Sequence, residues 1–357
     1  MKDFVPDFPL LEECTYLNTA YTGLIPRSTY EWRKEHEHAF FTEGSLFREG
    51  HRGLFEELRA AVGRFYNSDP AHVAFVPNFS IGYNILLDGL PKQSRVLGLK
   101  NDYPVVSWAV QQRGFDYRLV EVHARFEQDI YEAVKKYKPD VFVFSLVQYT
   151  DGLRLSETFL GQLKADFPNL LLLADGTQFM GTEQYDFSSS AIDVIGSSGY
   201  KWMLSGFGNG VFLFKPGVEE VINPLTIGFN SADSVDGDYK TIPFFGKFEP
   251  GHLDTFNFGS MLYSLYYLNG IGMDKIGAHN QHISRYTMQR LLERGLVDEL
   301  LAEREVHSTI YNLKIEEASA KLLLEKRVIC AQRGGGTRIS THFYNTTEDI
   351  DRLLSLL

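Results

Sequence analysis

The sequence predicts an α/β fold: a doubly wound, mostly parallel seven-stranded sheet in a large domain, with a small α+β domain at the carboxyl end. Three observations carry that expectation. Short β-rich runs alternate with helical patterns through the first two thirds of the chain, and several of those runs are apolar throughout instead of alternating. The final stretch leaves this rhythm and gives strand, helix, strand, Gly-rich turn, strand and helix in quick succession.

Taken in order, strands are expected at 72–76, 95–99, 116–122, 140–146, 170–174, 194–197 and 210–214. The runs VFVFSLV and LLLLAD leave no polar face, the mark of strands covered on both sides. Helices are expected between them at 54–66, 81–90, 105–114, 130–136 and 156–166. Residues 223–251 are irregular and rich in Gly, Asp, Pro and Phe; at nearly ~30 residues this connection has a length usually kept for function. Its rings Phe229, Phe244, Phe245 and Phe248 suit either an apolar substrate pocket or interface packing. A helical region follows over 260–294 with a break at 270–272, and the tail gives strand 308–315, helix 316–325, strand 327–331, strand 337–344 and helix 347–356. The large domain is placed at 15–258, and the small one at 1–14 together with 259–357.

Composition narrows the function. The 357 residues carry 46 Asp and Glu against 35 Lys and Arg, a formal charge of −11, with 44% hydrophobic and 23% charged residues. Such a chain is globular, and its scattered basic residues disfavour nucleic acid and anionic membranes as partners. No run approaches the ~18 apolar residues needed to span a bilayer. The start MKDFVPDFPLLEEC is acidic where a secretory signal is basic and then apolar, so a cytoplasmic location is expected. Cys14 and Cys330 lack metal-ligand spacing and are expected to be buried thiols. His279 and His282, an i, i+3 pair on a helix, make no convincing metal site. The turn RGGGTR lies between strands with no helix after it, so a tight reversal explains it better than a nucleotide loop.

Residues that follow strand ends carry the most functional weight, because ligands of open α/β sheets sit beyond the carboxyl edge. LLLLADGTQFMG puts Asp175 at the end of a buried strand, and GSSGYKWM puts Lys201 after another, 26 positions later. Two readings fit the pair. One is a structural ion pair or two exposed loop side chains; the other is a pyridoxal phosphate site, in which the lysine forms the Schiff base and the aspartate pairs with the protonated ring nitrogen.

The ordered set YLNTAYTG, FVPNFSIGYN, SLVQYTDG, ADGTQFMG, SSGYKWM, KFEPGHL and TRISTHFYNTTEDIDRLL resembles the class V aminotransferase family, the cysteine desulfurase-like enzymes of pyridoxal phosphate fold type I, over nearly the whole chain. The resemblance implies that Lys201 carries the cofactor, Asp175 holds its ring nitrogen and Gln178 its phenolic oxygen. Phe79, Ser80 and Ser198 hold its phosphate by the same resemblance, and a helix amino terminus at Phe79–Ser80 suits an anion; Ser80 as a plain N-cap is compatible with that. Tyr200 replaces the usual histidine before the lysine, Tyr103 stacks on the ring, and Tyr149 stands where the family has an asparagine. Arg338 is implied to bind the substrate carboxylate, with Asn18 lining the same pocket. GHLDT resembles a loop that reaches the neighbouring subunit's cofactor; His252 stands where a phosphate-binding threonine is usual and Thr255 substitutes, so a homodimer is expected.

A desulfurase needs an exposed, activated thiolate on a loop before the carboxylate-binding arginine. Cys330 in RVIC is the only candidate and reads as part of a buried strand, so persulfide chemistry is disfavoured. Transamination of an amino acid with a 2-oxo acid is favoured. Elimination in the manner of a cysteine or selenocysteine lyase and epimerisation in the manner of isopenicillin N epimerase stay open, as does a catalytically silent binding protein that keeps the fold.

Overall fold

The computed structural model describes residues 4–51, 53–231, 242–304 and 306–357. Its central sheet has seven strands: β1 (Val73–Val76), β2 (Arg95–Leu99), β3 (Asp116–Val120), β4 (Val141–Ser145), β5 (Leu171–Asp175), β6 (Val194–Ser198) and β7 (Gly210–Phe214), in spatial order β1-β7-β6-β5-β4-β2-β3. All neighbours run parallel except β7, which is antiparallel to both β1 and β6. Each of the seven expected runs is therefore a strand of this one sheet. β1, β4, β5, β6 and β7 are buried at every position, which is why their sequences show no alternation.

Helices α1 (Arg27–Glu43), α2 (Leu54–Tyr66), α3 (Phe79–Asp88), α4 (Pro104–Arg113), α5 (Phe126–Tyr137) and α6 (Glu157–Asp166) cover the sheet. One face packs Phe142, Phe144 and Leu172 against Leu58, Val62, Ile130 and Leu160. The other packs Val96, Val143 and Phe212 against Tyr83, Leu86 and Val110. Long helices α7 (Thr255–Ile271) and α8 (Met273–Glu293) meet at Gly272, whose φ of 99° ends the first helix where the break is expected. The rings of Phe244, Phe245 and Phe248 lie 5.3, 5.4 and 5.1 Å from that of Phe214 on β7. All three pack against the sheet, and Phe245 also lines a cavity. Residues 232–241 of the irregular connection fall outside the described residues.

At the carboxyl end β8 (Ile310–Leu313), β9 (Ala331–Arg333) and β10 (Gly336–Ser340) form an antiparallel sheet in the order β9-β10-β8, with α9 (Glu317–Glu325) and α10 (Thr347–Ser355) alongside. A capping box of Thr346 and Asp349 opens α10. The amino-terminal segment joins this unit: Thr15–Tyr16 pairs in parallel with Val328–Ile329, and the Ala20 amide donates to Ser340 Oγ at 2.8 Å. The same segment touches the central sheet. The Gly23 amide donates to the Tyr200 carbonyl at 2.9 Å, and a Cβ on Gly23 would lie 1.9 Å from the Lys201 carbonyl oxygen, so only glycine allows the approach. No helix among the described residues is long and apolar enough to cross a membrane.

Candidate active site

The carboxyl ends of β4, β5 and β6 lie side by side, with Asp175 in register with Ser145 on one flank and Gly196 on the other. Strand β1 points the same way, so its exit into α3 opens on the same edge. A cleft of about 220 Å³ sits there, lined by Phe79, Ser80, Tyr103, Tyr149, Asp175, Gln178, Ser198, Tyr200 and Lys201 among others. Nine residues expected from sequence thus share one cavity.

Lys201 is 7% exposed. Burial pulls its ammonium down to about 7, helped by the charges of Arg338 and Arg333 and opposed by Asp175. Its Nζ lies 5.4 Å from the centre of the Tyr200 ring and 5.9 Å from that of Tyr103. Asp175 is pushed up to about 6 by burial, against the hydrogen bonds of Thr177 and the charge of Lys201. The Thr177 amide donates to Asp175 Oδ1 at 2.8 Å, an Asx turn that fixes the carboxylate as it leaves β5. Thr177 Oγ1 in turn accepts from the Ser198 amide at 3.3 Å and ties β5 to β6. Gln178 is locked on both sides, donating through Nε2 to the Ala20 carbonyl at 3.0 Å and accepting from Trp202 Nε1 at 2.8 Å.

At the other end of the cleft, Asn78 caps α3 by accepting the Ile81 amide at 3.0 Å, which makes Phe79 and Ser80 the first two helical residues. The N-cap is therefore Asn78 and not Ser80. Phe79 donates its amide to Ser198 Oγ at 2.9 Å. Asp102, fully buried, accepts the Tyr103 amide at 2.6 Å and the Ser145 amide at 2.8 Å, so it seats Tyr103 at the mouth of α4 and binds that segment to β4. The rings of Tyr103 and Tyr149 meet edge to face at 5.5 Å, and Tyr200 stacks on Phe207 at 4.6 Å.

Arg338 on β10 is 2% exposed and donates through Nη1 to the Tyr149 carbonyl at 2.6 Å, while its Nε and Nη2 have no partner. Burial, with Arg333 nearby, lowers its guanidinium to about 10. Asn18 Oδ1 is likewise buried and unpartnered. Buried donors and acceptors of this kind are costly unless a ligand meets them. Thr255 and His252 lie elsewhere: Thr255 Oγ1 pairs with His36 Nε2 at 3.0 Å, and both residues line a separate cavity of about 780 Å³ that shares no residue with the Lys201 cleft. Sequence reasoning missed Asn78, Ser145, Thr177 and Phe207 in the lining. The signal for Thr177 was its place two residues after Asp175; nothing in the sequence marks Phe207.

A sequence model of the family described as aminotransferase class-V matches residues 34–353. The chain belongs to that family. This class V enzyme is 25% identical to a probable cysteine desulfurase of Methanothermobacter thermautotrophicus, over 99% of this chain and 96% of the relative. It is 24% identical to isopenicillin N epimerase of Streptomyces clavuligerus, over 96% and 93%. Among solved structures, the complex of the cystine C-S lyase C-DES with its product cysteine persulfide superposes with a TM-score of 0.87 at 21% identity, covering 98% of each chain. The apo cysteine desulfurase of Thermococcus onnurineus NA1 gives 0.85 at 19%, covering 100% and 97%. The architecture is thus the pyridoxal phosphate fold type I expected from the motifs.

Pyridoxal phosphate is the cofactor of this family, and the donor set present suits it. A buried amine and a buried carboxylate share one small cleft with the first turn of a helix, and an orphaned guanidinium lies on the neighbouring sheet. Cys330 is half-buried with its ionisation pushed up to about 11 by burial, and Cys14 is buried and raised as well.

Proposed function

We propose that this class V enzyme transaminates an α-amino acid with a 2-oxo acid, using Lys201 as the cofactor-bearing and proton-moving residue. The observation that supports the reading best is a single buried amine, lowered to about 7, in a cleft beside a buried carboxylate. When bound, pyridoxal phosphate supplies an electron sink that lets bonds at the substrate α-carbon break.

The chain's own residues do the rest. Lys201, lowered to about 7, would hold the cofactor through Nζ and would move the proton at the substrate α-carbon. Asp175, oriented by the Thr177 amide, keeps the ring nitrogen protonated. Gln178 retains one free Nε2 hydrogen after the bond to Ala20, which it offers to the phenolic oxygen. The first-turn amides of α3, Phe79 among them, with the Ser80 and Ser198 hydroxyls, would hold the phosphate. Tyr103 would cover the ring, with Tyr149 and Tyr200 in the cleft walls. Arg338 would take the substrate carboxylate with its unpartnered Nε and Nη2, and the buried, unpartnered Asn18 Oδ1 is a further polar group we assign to the same role.

The lining offers one amine, and burial raises the phenols of Tyr103 and Tyr200, the latter to about 12. One base that takes and returns a proton suits transamination or elimination; epimerisation calls for a second. Elimination from a sulfur-containing amino acid is the second reading, since it needs no protein thiol and both thiols here are raised. We take the protein to be a homodimer in which the Thr255 segment approaches the partner's cleft, in keeping with its place in a cavity that shares no residue with the Lys201 cleft.

The test is a screen of amino acids against cofactor-loaded protein, assaying 2-oxo acid, ammonia and sulfide. Oxo acid formed only with an added oxo acid acceptor supports transamination; ammonia with pyruvate or sulfide supports elimination. Protein that stays colourless with pyridoxal phosphate, and is not labelled at Lys201 by borohydride, would identify a silent binding protein.

A further inference from the structure

The Gly-rich turn after β9 carries a second arginine that the reaction outlined above does not use. Strands β9 and β10 pair with Ala331 opposite Arg338, Gln332 opposite Thr337 and Arg333 opposite Gly336. Side chains alternate faces along a strand, so Arg333, two residues from Ala331, shares the hairpin face of Arg338. The two are diagonal neighbours, with side-chain roots about 7–8 Å apart.

The turn between them is Gly334–Gly335, with φ of 61° and 76°, a reversal that only glycines make without strain. It is seated against the cleft wall. A Cβ on Gly334 would lie 3.2 Å from Thr150 Cβ, and Asn312 Nδ2 donates both to the Arg333 carbonyl at 2.8 Å and to the Thr150 carbonyl at 3.2 Å. Thr150 follows Tyr149, whose carbonyl holds Arg338 and whose side chain lines the cleft. The turn that follows Arg333 is therefore fixed against the segment whose Tyr149 both lines the cleft and holds Arg338.

Its guanidinium is exposed and lies 5.3 Å from the centre of the Tyr21 ring. Among the described residues neither Arg333 nor Arg338 forms an ion pair, and no side chain stands opposite Arg333, because its partner is Gly336. The charge of Arg333 is close enough to act on Lys201, Tyr103 and Tyr200. One hairpin face thus carries two cations without an ion pair, one buried and one exposed.

We infer that the substrate is a dicarboxylic amino acid or 2-oxo acid, with Arg338 holding the α-carboxylate and Arg333 holding the side-chain carboxylate. This rests on the function proposed above. The two arginines are a matched pair: the buried one fixes the end that must be oriented for chemistry, and the exposed one selects by charge.

Binding of two unreactive acids tests it. Succinate and butyrate are titrated calorimetrically against the protein with and without pyridoxal phosphate, in wild type, Arg333→Gln and Arg338→Gln. Succinate is expected to bind about tenfold or more tighter than butyrate in wild type, the size of one charge-assisted contact. Arg333→Gln should erase that preference while leaving butyrate unchanged, and Arg338→Gln should weaken both acids. Equal affinities in wild type, or an Arg333→Gln variant that loses both acids alike, would overturn the inference. So would an absence of binding by either acid in protein whose Lys201 takes the cofactor under borohydride. Failure of that borohydride labelling would instead count against the proposed function, and the succinate preference of the cofactor-free protein would still judge the arginine pair.

Discussion

Replacing Lys201 by Met should stabilise the cofactor-free protein at neutral pH, and the gain should disappear in alkali. The side chain sits in a nearly closed pocket, where burial and the charges of Arg338 and Arg333 bring its ionisation from an ordinary 10.5 down to about 7. Each tenfold in that difference is worth ~1.4 kcal/mol, so carrying the proton in the folded state costs up to ~5 kcal/mol, less whatever the pocket relaxes. The unfolded chain binds this proton up to about pH 10.5 and the folded chain only up to about pH 7. Between those limits the unfolded state holds more protons, so stability rises with pH. Below about 7 the full penalty is present; above 10.5 it is absent. Met keeps the stem and removes the charge. Urea unfolding at pH 7 should therefore place Lys201→Met at least ~2 kcal/mol above wild type, and the gap should close as the pH approaches 10.5. A gap that stays constant over that range would show that Lys201 is not a strained amine, and the account of its reactivity would fall with it.

Three further outcomes follow from other contacts. Arg338→Gln removes a guanidinium with two buried free N–H groups, so KM for a carboxylate substrate should rise by a factor worth ~2 to 4 kcal/mol with a smaller effect on kcat; an unchanged KM would move the carboxylate to another residue. Asn78→Ala deletes the cap at the start of α3, and should cost ~1 kcal/mol in thermal unfolding and weaken pyridoxal phosphate uptake, read by equilibrium dialysis. Cys330→Ala, alone and with Cys14→Ala, should leave turnover within about twofold, because both thiols are raised by burial; loss of activity with retained folding would revive thiolate chemistry.

The central sheet was legible because its strands advertise themselves: five of the seven are buried at every residue, and burial on both faces forces unbroken apolar runs. α1 was not legible. Its sequence RSTYEWRKEHEHAFFTE buries only Thr29 and His36, so no apolar stripe repeats along it, and packing against α7 supplies the order that the sequence does not show. The cap of α3 was misplaced by two residues because Asn78 and Ser80 are both capping types, and only the point where β1 releases the chain decides between them. Asp175 and Lys201 were legible as strand-end residues, whereas Trp202 holding Gln178 and Asn312 clamping the β9–β10 turn depend on tertiary approach between segments far apart in the chain.

The electrostatics of the cleft explain why a lysine and an aspartate can face each other without neutralising the site. An ordinary buried pair would settle as ammonium and carboxylate, since each charge stabilises the other. Here Arg338 and Arg333 add positive potential on the lysine side, while Asp102, fully buried, adds negative potential to Asp175. Burial is the larger cause of both shifts, and these charges add to it, so the amine drifts toward neutrality and the carboxyl toward protonation. That is the state in which an amine can attack a carbonyl and a carboxyl can share a proton with a ring nitrogen. Supplying a carboxylate to Arg338 and Arg333 cancels much of the positive potential, so succinate should raise the ionisation of Lys201 in the cofactor-free protein. The shift can be followed by the pH dependence of Lys201 modification with a small amine-directed reagent. A titration midpoint that does not move upward with saturating succinate would mean that the arginines do not govern the lysine.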